Sequence, residues 1–224
     1  MIMSETPDPR HEAFGYECGR CLRCCRDKHI QLNPYEVARL ARLKGETTTA
    51  FRETWTEGGA GLALSRTADG ACVFLGSTGC TVHPDRPLVC RVYPLGRHLT
   101  FDGVESFIPM EPHPLSEGEL HQRGTIGDFL IAQGAEPYIL AADAYVDWLA
   151  RAIDILADYS GKSAHDVIAS PIADDRLLDM DAALASWSRQ TGQQPPDDID
   201  HRTALHLSIL DDHLNAPGDP KHGT

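Results

Sequence analysis

Between residues 30 and 58 the apolar positions recur at helical spacing. Asn33-Pro34-Tyr35-Glu36 supplies an N-cap, a proline at the first helical position and a capping-box glutamate, and Val37, Leu40, Ala41 and Leu43 follow before Gly45 ends the helix. A second short helix over 49–57 would bury Phe51 and Trp55 and stop at Gly58-Gly59-Ala60-Gly61. Around Asp69-Gly70 and Asp102-Gly103 the pattern shortens to strand-like runs, which predicts hairpins over 62–67 and 71–75 and over 99–101 and 104–108. From about residue 116 helical spacing takes over. Ser116-x-x-Glu119 and Thr125 read as start signals, and Glu136-Pro137 opens a long amphipathic helix closed by Gly161. Its apolar face carries Tyr138, Ala141, Ala142, Tyr145, Trp148, Leu149, Ala152, Ile155, Leu156 and Tyr159, an aromatic stripe that reads as core rather than as a cofactor box. Two more helices are expected over 175–190 and 198–214, separated by Gln193-Gln194-Pro195-Pro196.

Composition narrows the function classes. The 224 residues hold no apolar run of the ~18 residues that a membrane span needs, and the N-terminus shows no basic start followed by an apolar stretch, so a cytoplasmic protein is expected. A net charge of −13 opposes phosphate binding, which makes nucleic acid a poor partner. The charge is uneven: residues 1–100 carry 13 Lys/Arg against 11 Asp/Glu, whereas 101–224 carry 7 against 22. The acidic half reads as a solvated helical surface.

All seven cysteines, at 18, 21, 24, 25, 72, 80 and 90, lie in the first 90 residues. Buried structural thiols would scatter, a reducing compartment disfavours a disulfide framework, and Cys18-x-x-Cys21-x-x-Cys24-Cys25 is too tight to bridge within itself. Metal ligation explains the set better. A Cys-x-x-Cys turn lets two thiolates converge while intervening amides turn toward the sulfurs, with Gly19 expected to give conformational freedom. Cys18, Cys21 and Cys24 repeat the run that bacterial ferredoxins use for a 4Fe-4S cluster, with a remote cysteine as fourth ligand, and zinc accepts the same pairs. Cys25 joins a second centre, serves as a redox-active thiol, or packs as a small apolar residue. Seven thiolates divide naturally as four plus three.

Other side chains join the candidate site. His83, between Cys80 and Cys90, is a candidate auxiliary ligand, against a plain surface role. His113, in Glu111-Pro112-His113-Pro114, either folds back toward the cysteines or is a turn residue. Arg20 and Arg23 thread the first loop beside Arg26 and Lys28, and positive charge there favours thiolates. Arg86 and Arg91 do the same from the other side, or bind a carboxylate of a partner. His201, His206 and His213, spaced by 5 and 7, lack the i, i+4 clamp of a helical metal site and read as surface residues. No Walker motif, G-x-S-x-G elbow or H-E-x-x-H helix is present, and no catalytic residue is identified.

The motifs Cys18-x-x-Cys21-x-x-Cys24-Cys25, Cys72-Val73-Phe74-Leu75, Gly79-Cys80-Thr81-Val82-His83 and Arg86-Pro87-x-x-Cys90-Arg91-x-Tyr93-Pro94, in this order, resemble the YkgJ-type CxxCxxCC cysteine-cluster family, described as zinc- or iron-chelating. The resemblance covers roughly 15–95. His113-Pro114-x-x-x-Gly118, Gly124-Thr125-Ile126 and Gln133-Gly134 resemble the extension of one branch. It implies metal binding, with the seven cysteines as ligands, and a distant likeness to the flagellin lysine N-methylase. No glycine-rich methyl-donor fingerprint accompanies that likeness.

The chain is therefore expected to be mainly α with short β-hairpins. A loose N-terminus over 1–14 would precede an irregular, metal-stabilised cysteine-cluster module over 15–110. A helical extension over 111–215 would pack on it, and 216–224 would form a loose tail. The expected function is an iron–sulfur cluster, 4Fe-4S foremost, used in redox or cluster-assisted modification of a protein or small molecule. The alternative is a non-catalytic zinc module that binds a partner.

Overall fold

Two helix starts are fixed by reciprocal side-chain caps. Asn33 accepts from the Glu36 amide at 3.0 Å while Glu36 accepts from the Asn33 amide at 2.9 Å, which opens α1 (Pro34–Lys44), and Gly45 ends it in the left-handed region at φ 70°. Thr125 and Asp128 form the same box at the start of a later helix, Ile126–Ala132. The computed structural model describes residues 8–59, 62–100, 102–161, 163 and 178–215. The expected tail over 216–224, residues 1–7 of the expected N-terminal segment and residues 175–177 lie outside them.

Seven α-helices are present among the described residues, with three small antiparallel two-stranded sheets, so the chain is mainly α. The helices are α1, α2 (Thr48–Trp55), α3 (Leu88–Val92), α4 (Ile126–Ala132), α5 (Glu136–Ser160), α6 (Met180–Thr191) and α7 (Ile199–Asn215). The strands are β1 (Ala13–Glu17), β2 (Leu75–Gly76), β3 (Gly79–Cys80), β4 (Leu95–Leu99), β5 (Glu105–Pro109) and β6 (Glu119–Thr125). Among the described residues no helix is long and apolar enough to cross a membrane.

The chain divides into two interleaved units. The first comprises 1–30 and 65–140 and holds all seven cysteines, all three sheets, α3 and α4. Its core joins Phe14, Tyr16, Val92, Leu95, Phe107, Ile126, Phe129 and Ile139, with Phe14 meeting Phe129 edge-on at 5.0 Å. β4 and β5 form the expected hairpin over Asp102-Gly103, in register from Leu95↔Pro109 to Leu99↔Glu105. A three-residue 3-10 turn, Pro9–His11, is tied to that hairpin by a fork: Arg10 reaches both oxygens of Glu105 at 2.7 and 3.0 Å, and Arg97 adds a third bond at 2.5 Å.

Two expectations change in this unit. Ser116-x-x-Glu119 opens no helix; residues 119–125 are β6, which pairs antiparallel with β1 in the register Gly15↔His121, Tyr16↔Leu120, Glu17↔Glu119. The reason is long-range: the buried face of β1, Phe14 and Tyr16, recruits a partner strand that local capping signals do not reveal. The hairpin at Asp69-Gly70 is present, with Arg66 bridging Cys72, but Ala63 and Leu64 bridge Gln31 and Thr56 instead.

The second unit comprises 31–64 and 141–224. Ala38 of α1 packs with Met180 and Leu184 of α6, and Ile199, Leu205 and Ile209 of α7 lie against them. Arg52 and Asp179, both nearly inaccessible, pair at 3.6 Å, and Thr48 donates to Asp179 at 2.6 Å. His206 corrects the surface reading: it is fully buried and hydrogen-bonded to Tyr145 at 2.8 Å, whereas His201 and His213 are exposed. In the long stripe of α5, Tyr138, Ala141, Tyr145, Trp148 and Ala152 are buried, but Leu149, Ile155, Leu156 and Tyr159 are exposed.

Candidate metal centre

The first cysteine loop leaves the end of β1 and coils tightly. Arg20, Leu22 and Asp27, at φ 51°, 66° and 54°, are the only non-glycine residues in the left-handed region among the described residues, and a 3-10 turn covers Arg23–Cys25. Each such residue costs about 1–3 kcal/mol, so this loop holds strain that the other described residues avoid. The coil aims amides at sulfur. The Arg20 amide donates to Cys18 Sγ at 3.4 Å, and the Arg23 amide donates to Cys21. Gly19 has a different role from the expected one. Its φ is not positive; a Cβ there would stand 2.6 Å from the carbonyl oxygen of Glu117, so glycine is required by close approach.

The second cysteine group is brought alongside by backbone pairing. Arg26 bridges Ala71, and the Cys72 amide donates to the Cys25 carbonyl at 2.9 Å. The Phe74 amide then donates to the Cys72 sulfur and the Val82 amide to that of Cys80, which sits on β3 opposite Leu75. Cys90 lies in α3, just after Pro87. The same device thus recurs at Cys18, Cys21, Cys72 and Cys80: the amide two residues onward faces the sulfur. Such bonds stabilise thiolate charge and are a recurrent tuning element of metal–thiolate centres.

Cys24 and Cys25 act on one another: their interaction pulls Cys24 down, against the effect of burial, and pushes Cys25 up, with burial and the charges of Cys24, Cys90 and Cys80 adding to it. Burial pushes Cys72 and Cys80 up, opposed by the Phe74 and Val82 amides, and each also feels a further cysteine: Cys80 for Cys72, Cys24 for Cys80. Cys21 is held below the ordinary thiol range, first by the Glu117 amide, with Cys24 a neighbouring charge. The field of Cys18, Cys80 and Cys90 reaches Arg86. These pairwise effects link Cys24 with Cys21, Cys25 and Cys80, and Cys80 with Cys72. Among the described residues, no three His, Cys, Asp or Glu side chains stand close enough to form a finished coordination shell. Cys18 is exposed, the other six are half-buried, and Cys18 forms part of the wall of a cavity of about 510 Å³ with Tyr16, Phe129 and Gln133.

The cations around the sulfurs test whether an anionic centre fits. Arg91 is 7% exposed, and its guanidinium donates to the carbonyls of Gln133, at 2.8 Å, and Pro84, and to Tyr138 Oη at 2.7 Å. It also lies 4.0 Å from the centroid of the Tyr138 ring, and its Nε has no hydrogen-bond partner among the described residues. Arg86, half-buried, donates to the His83 carbonyl at 2.9 Å and to Gln133 Oε1 at 2.6 Å. Neither arginine pairs with a carboxylate among the described residues. Burial and the charge of Arg91 lower the Arg86 pKa, while Cys90, Cys80 and Cys18 raise it: the anions it faces are sulfurs. Desolvated cations need a nearby negative charge, and a metal–thiolate centre supplies one.

His83 is partly buried, and burial together with Arg86, Arg20 and Arg91 keeps its ring neutral, with Nδ1 3.4 Å from Arg86. Arg20 and Arg23 are exposed. The His113 ring is used in its own turn, where Nδ1 accepts the Leu115 amide at 3.1 Å. The segment does fold back to the cysteines, but through Glu117, whose amide donates to Cys21 Sγ at 3.4 Å. Sequence reasoning missed Glu117 and Tyr138; the only hint of either was a position in a start signal or a core stripe.

Residues 17–108 match the model of the CxxCxxCC family, described as "Putative zinc- or iron-chelating domain". No curated protein and no solved structure matches the chain.

Proposed function

We propose, on the premise that residues 17–108 are a CxxCxxCC metal-binding domain, that this domain holds an iron–sulfur cluster used in redox or cluster-assisted modification of a protein or small molecule. Cys18, Cys21 and Cys24 would supply three ligands, and Cys80, the remote cysteine whose charge couples to Cys24, the fourth. Cys25, Cys72 and Cys90 would form the auxiliary set, the first two tied by the backbone bond between them. The observation that carries the reading is the conjunction of seven half-buried or exposed thiols with two desolvated guanidiniums that lack carboxylate partners among the described residues. When bound, such a cluster supplies one-electron chemistry or a Lewis-acidic iron. The protein's own part is to orient the sulfurs, offset their charge through Arg86 and Arg91, and leave the Cys18 side open to the adjoining cavity.

A closed zinc site is the second reading. The amide-to-sulfur bonds at four separate cysteines would serve a zinc centre with four thiolate ligands as well. Elemental analysis and a visible spectrum of protein purified without oxygen separate the two. Iron and acid-labile sulfide in equal amounts, with brown absorption that Cys80→Ser and Cys21→Ser abolish, are expected. Colourless protein with stoichiometric zinc would replace the cluster by the structural module.

A further inference from the structure

The register of β1 against β6 has a geometric consequence beyond the sheet. Because Glu17 pairs with Glu119, the chain that follows one and the chain that precedes the other leave the sheet side by side. Cys18 onward therefore runs next to residues 116–118, and the contact is tight on both sides: Gly19 has no room for a Cβ because of Glu117, and Gly118 none because of the Tyr16 hydroxyl. The segment is pinned at two tyrosines. Tyr93 Oη accepts the His113 amide at 2.9 Å, Tyr16 Oη is 3.0 Å from Ser116 Oγ, and the two rings meet edge-on at 6.3 Å. Within the segment the Ser116 amide donates to the His113 carbonyl at 2.6 Å, and Ser116 Oγ accepts the Gly118 amide at 3.1 Å. These bonds fix the peptide whose free end is the Glu117 amide, directed at Cys21 Sγ at 3.4 Å.

We propose that residues 113–118 are a positioning strap for the metal centre, in which Tyr16 and Ser116 hold the Glu117 amide against the Cys21 sulfur. The inference rests on Cys21 being a metal ligand. Cys21 is the cysteine for which such a long-range donor is seen; the other amide donors found lie two residues from their own sulfurs. An amide on a ligating sulfur withdraws electron density from it and keeps it oriented, which slows its dissociation from the metal. The acidic Glu117 side chain itself takes no part; only its backbone N–H is used.

The test uses the full chain loaded with cobalt(II), whose sulfur-to-metal charge-transfer band reports the number and electron richness of the ligating thiolates. Four variants are compared: Tyr16→Phe, Ser116→Ala, Glu117→Pro, which deletes the amide, and Glu117→Ala, which keeps it. Expected are a shifted charge-transfer band and about 10-fold faster cobalt transfer to a chelator for Glu117→Pro, smaller changes in the same direction for Tyr16→Phe and Ser116→Ala, and wild-type behaviour for Glu117→Ala. The proposal falls if Tyr16→Phe and Ser116→Ala both keep the wild-type band and rate, or if Glu117→Ala loses as much as Glu117→Pro. Should Glu117→Pro fail to fold, the two milder variants decide alone. Failure of the underlying reading has a separate signature: Cys21→Ser would leave the wild-type cobalt band unchanged.

Discussion

A guanidinium taken out of water without a carboxylate beside it leaves its charge to be met by something else. The two terminal nitrogens of Arg91 donate to two carbonyls and Tyr138 Oη, which occupies them but does not answer the charge, and Arg86 stands next to it with the same deficit. Replacing Arg91 by Met keeps the length and removes both. Because Gln133 O, Pro84 O and Tyr138 Oη would be left without their donor, Arg91→Met is expected to lower stability by about 2–4 kcal/mol in urea denaturation. If the arginine also offsets a metal–thiolate centre, the loss is larger in metal-loaded than in metal-free protein; equal losses would make Arg91 a packing residue only. The cysteines around this pair could be read from spacing, since at Cys18, Cys21, Cys72 and Cys80 an amide two residues onward meets the sulfur and that geometry is local. Arg91 could be placed near them but not explained, because its acceptors at Gln133 and Tyr138 are more than 40 residues distant.

At the level of elements, the Glu105 fork shows what joins pieces that share no ladder. Burial pushes the Glu105 carboxyl up, but the bonds from Arg10 and Arg97 outweigh it and hold its pKa below the ordinary value. A carboxylate with a depressed folded-state pKa contributes stability that is complete above its unfolded value, about 4.3, and is lost as pH falls through the lower folded one. Wild type is therefore expected to exceed Glu105→Gln by about 1 kcal/mol at pH 7, with the gap closing below about pH 4; a gap that persists at pH 3 would assign the effect to packing. The same scale shows where elements could be foreseen. α1 and α4 carried reciprocal caps within four residues, and both formed where expected. β6 did not announce itself, because a strand that reads Glu-Leu-His-Gln-Arg-Gly-Thr has little alternation of its own and exists through its pairing with β1, a hundred residues away. His206 was misread for a related reason: it lies on the buried face of α7 with Thr203 and Leu210, where Tyr145 Oη meets its ring, and spacing among histidines alone does not reveal that face.

For the whole molecule, the division of the chain decides what metal loss should do. Residues 31–64 separate the two cysteine groups in sequence, yet they belong to the unit that holds α6 and α7, while both cysteine groups belong to the other. Metal that links the loop at 18–25 to residues 72–90 would therefore close a long chain excursion, constraining one unit through groups that the other lacks. Metal-linked modules draw much of their folding free energy from the ion, and the loop over 20–27 carries three left-handed residues whose strain a bound metal would help to offset. Removing the metal is expected to speed amide exchange across 18–30 and 65–92, most of all at the amides of Arg20, Arg23, Phe74 and Val82 that face sulfur, while α1, α2, α6 and α7 keep their protection. The phenylalanine-rich core around Phe14 and Phe129 should retain intermediate protection, since it is apolar and independent of the thiols. Hydrogen exchange with and without chelator reads this directly, and equal loosening of α6 and α7 would mean that the two units fold as one cooperative body in which the metal stabilises every helix.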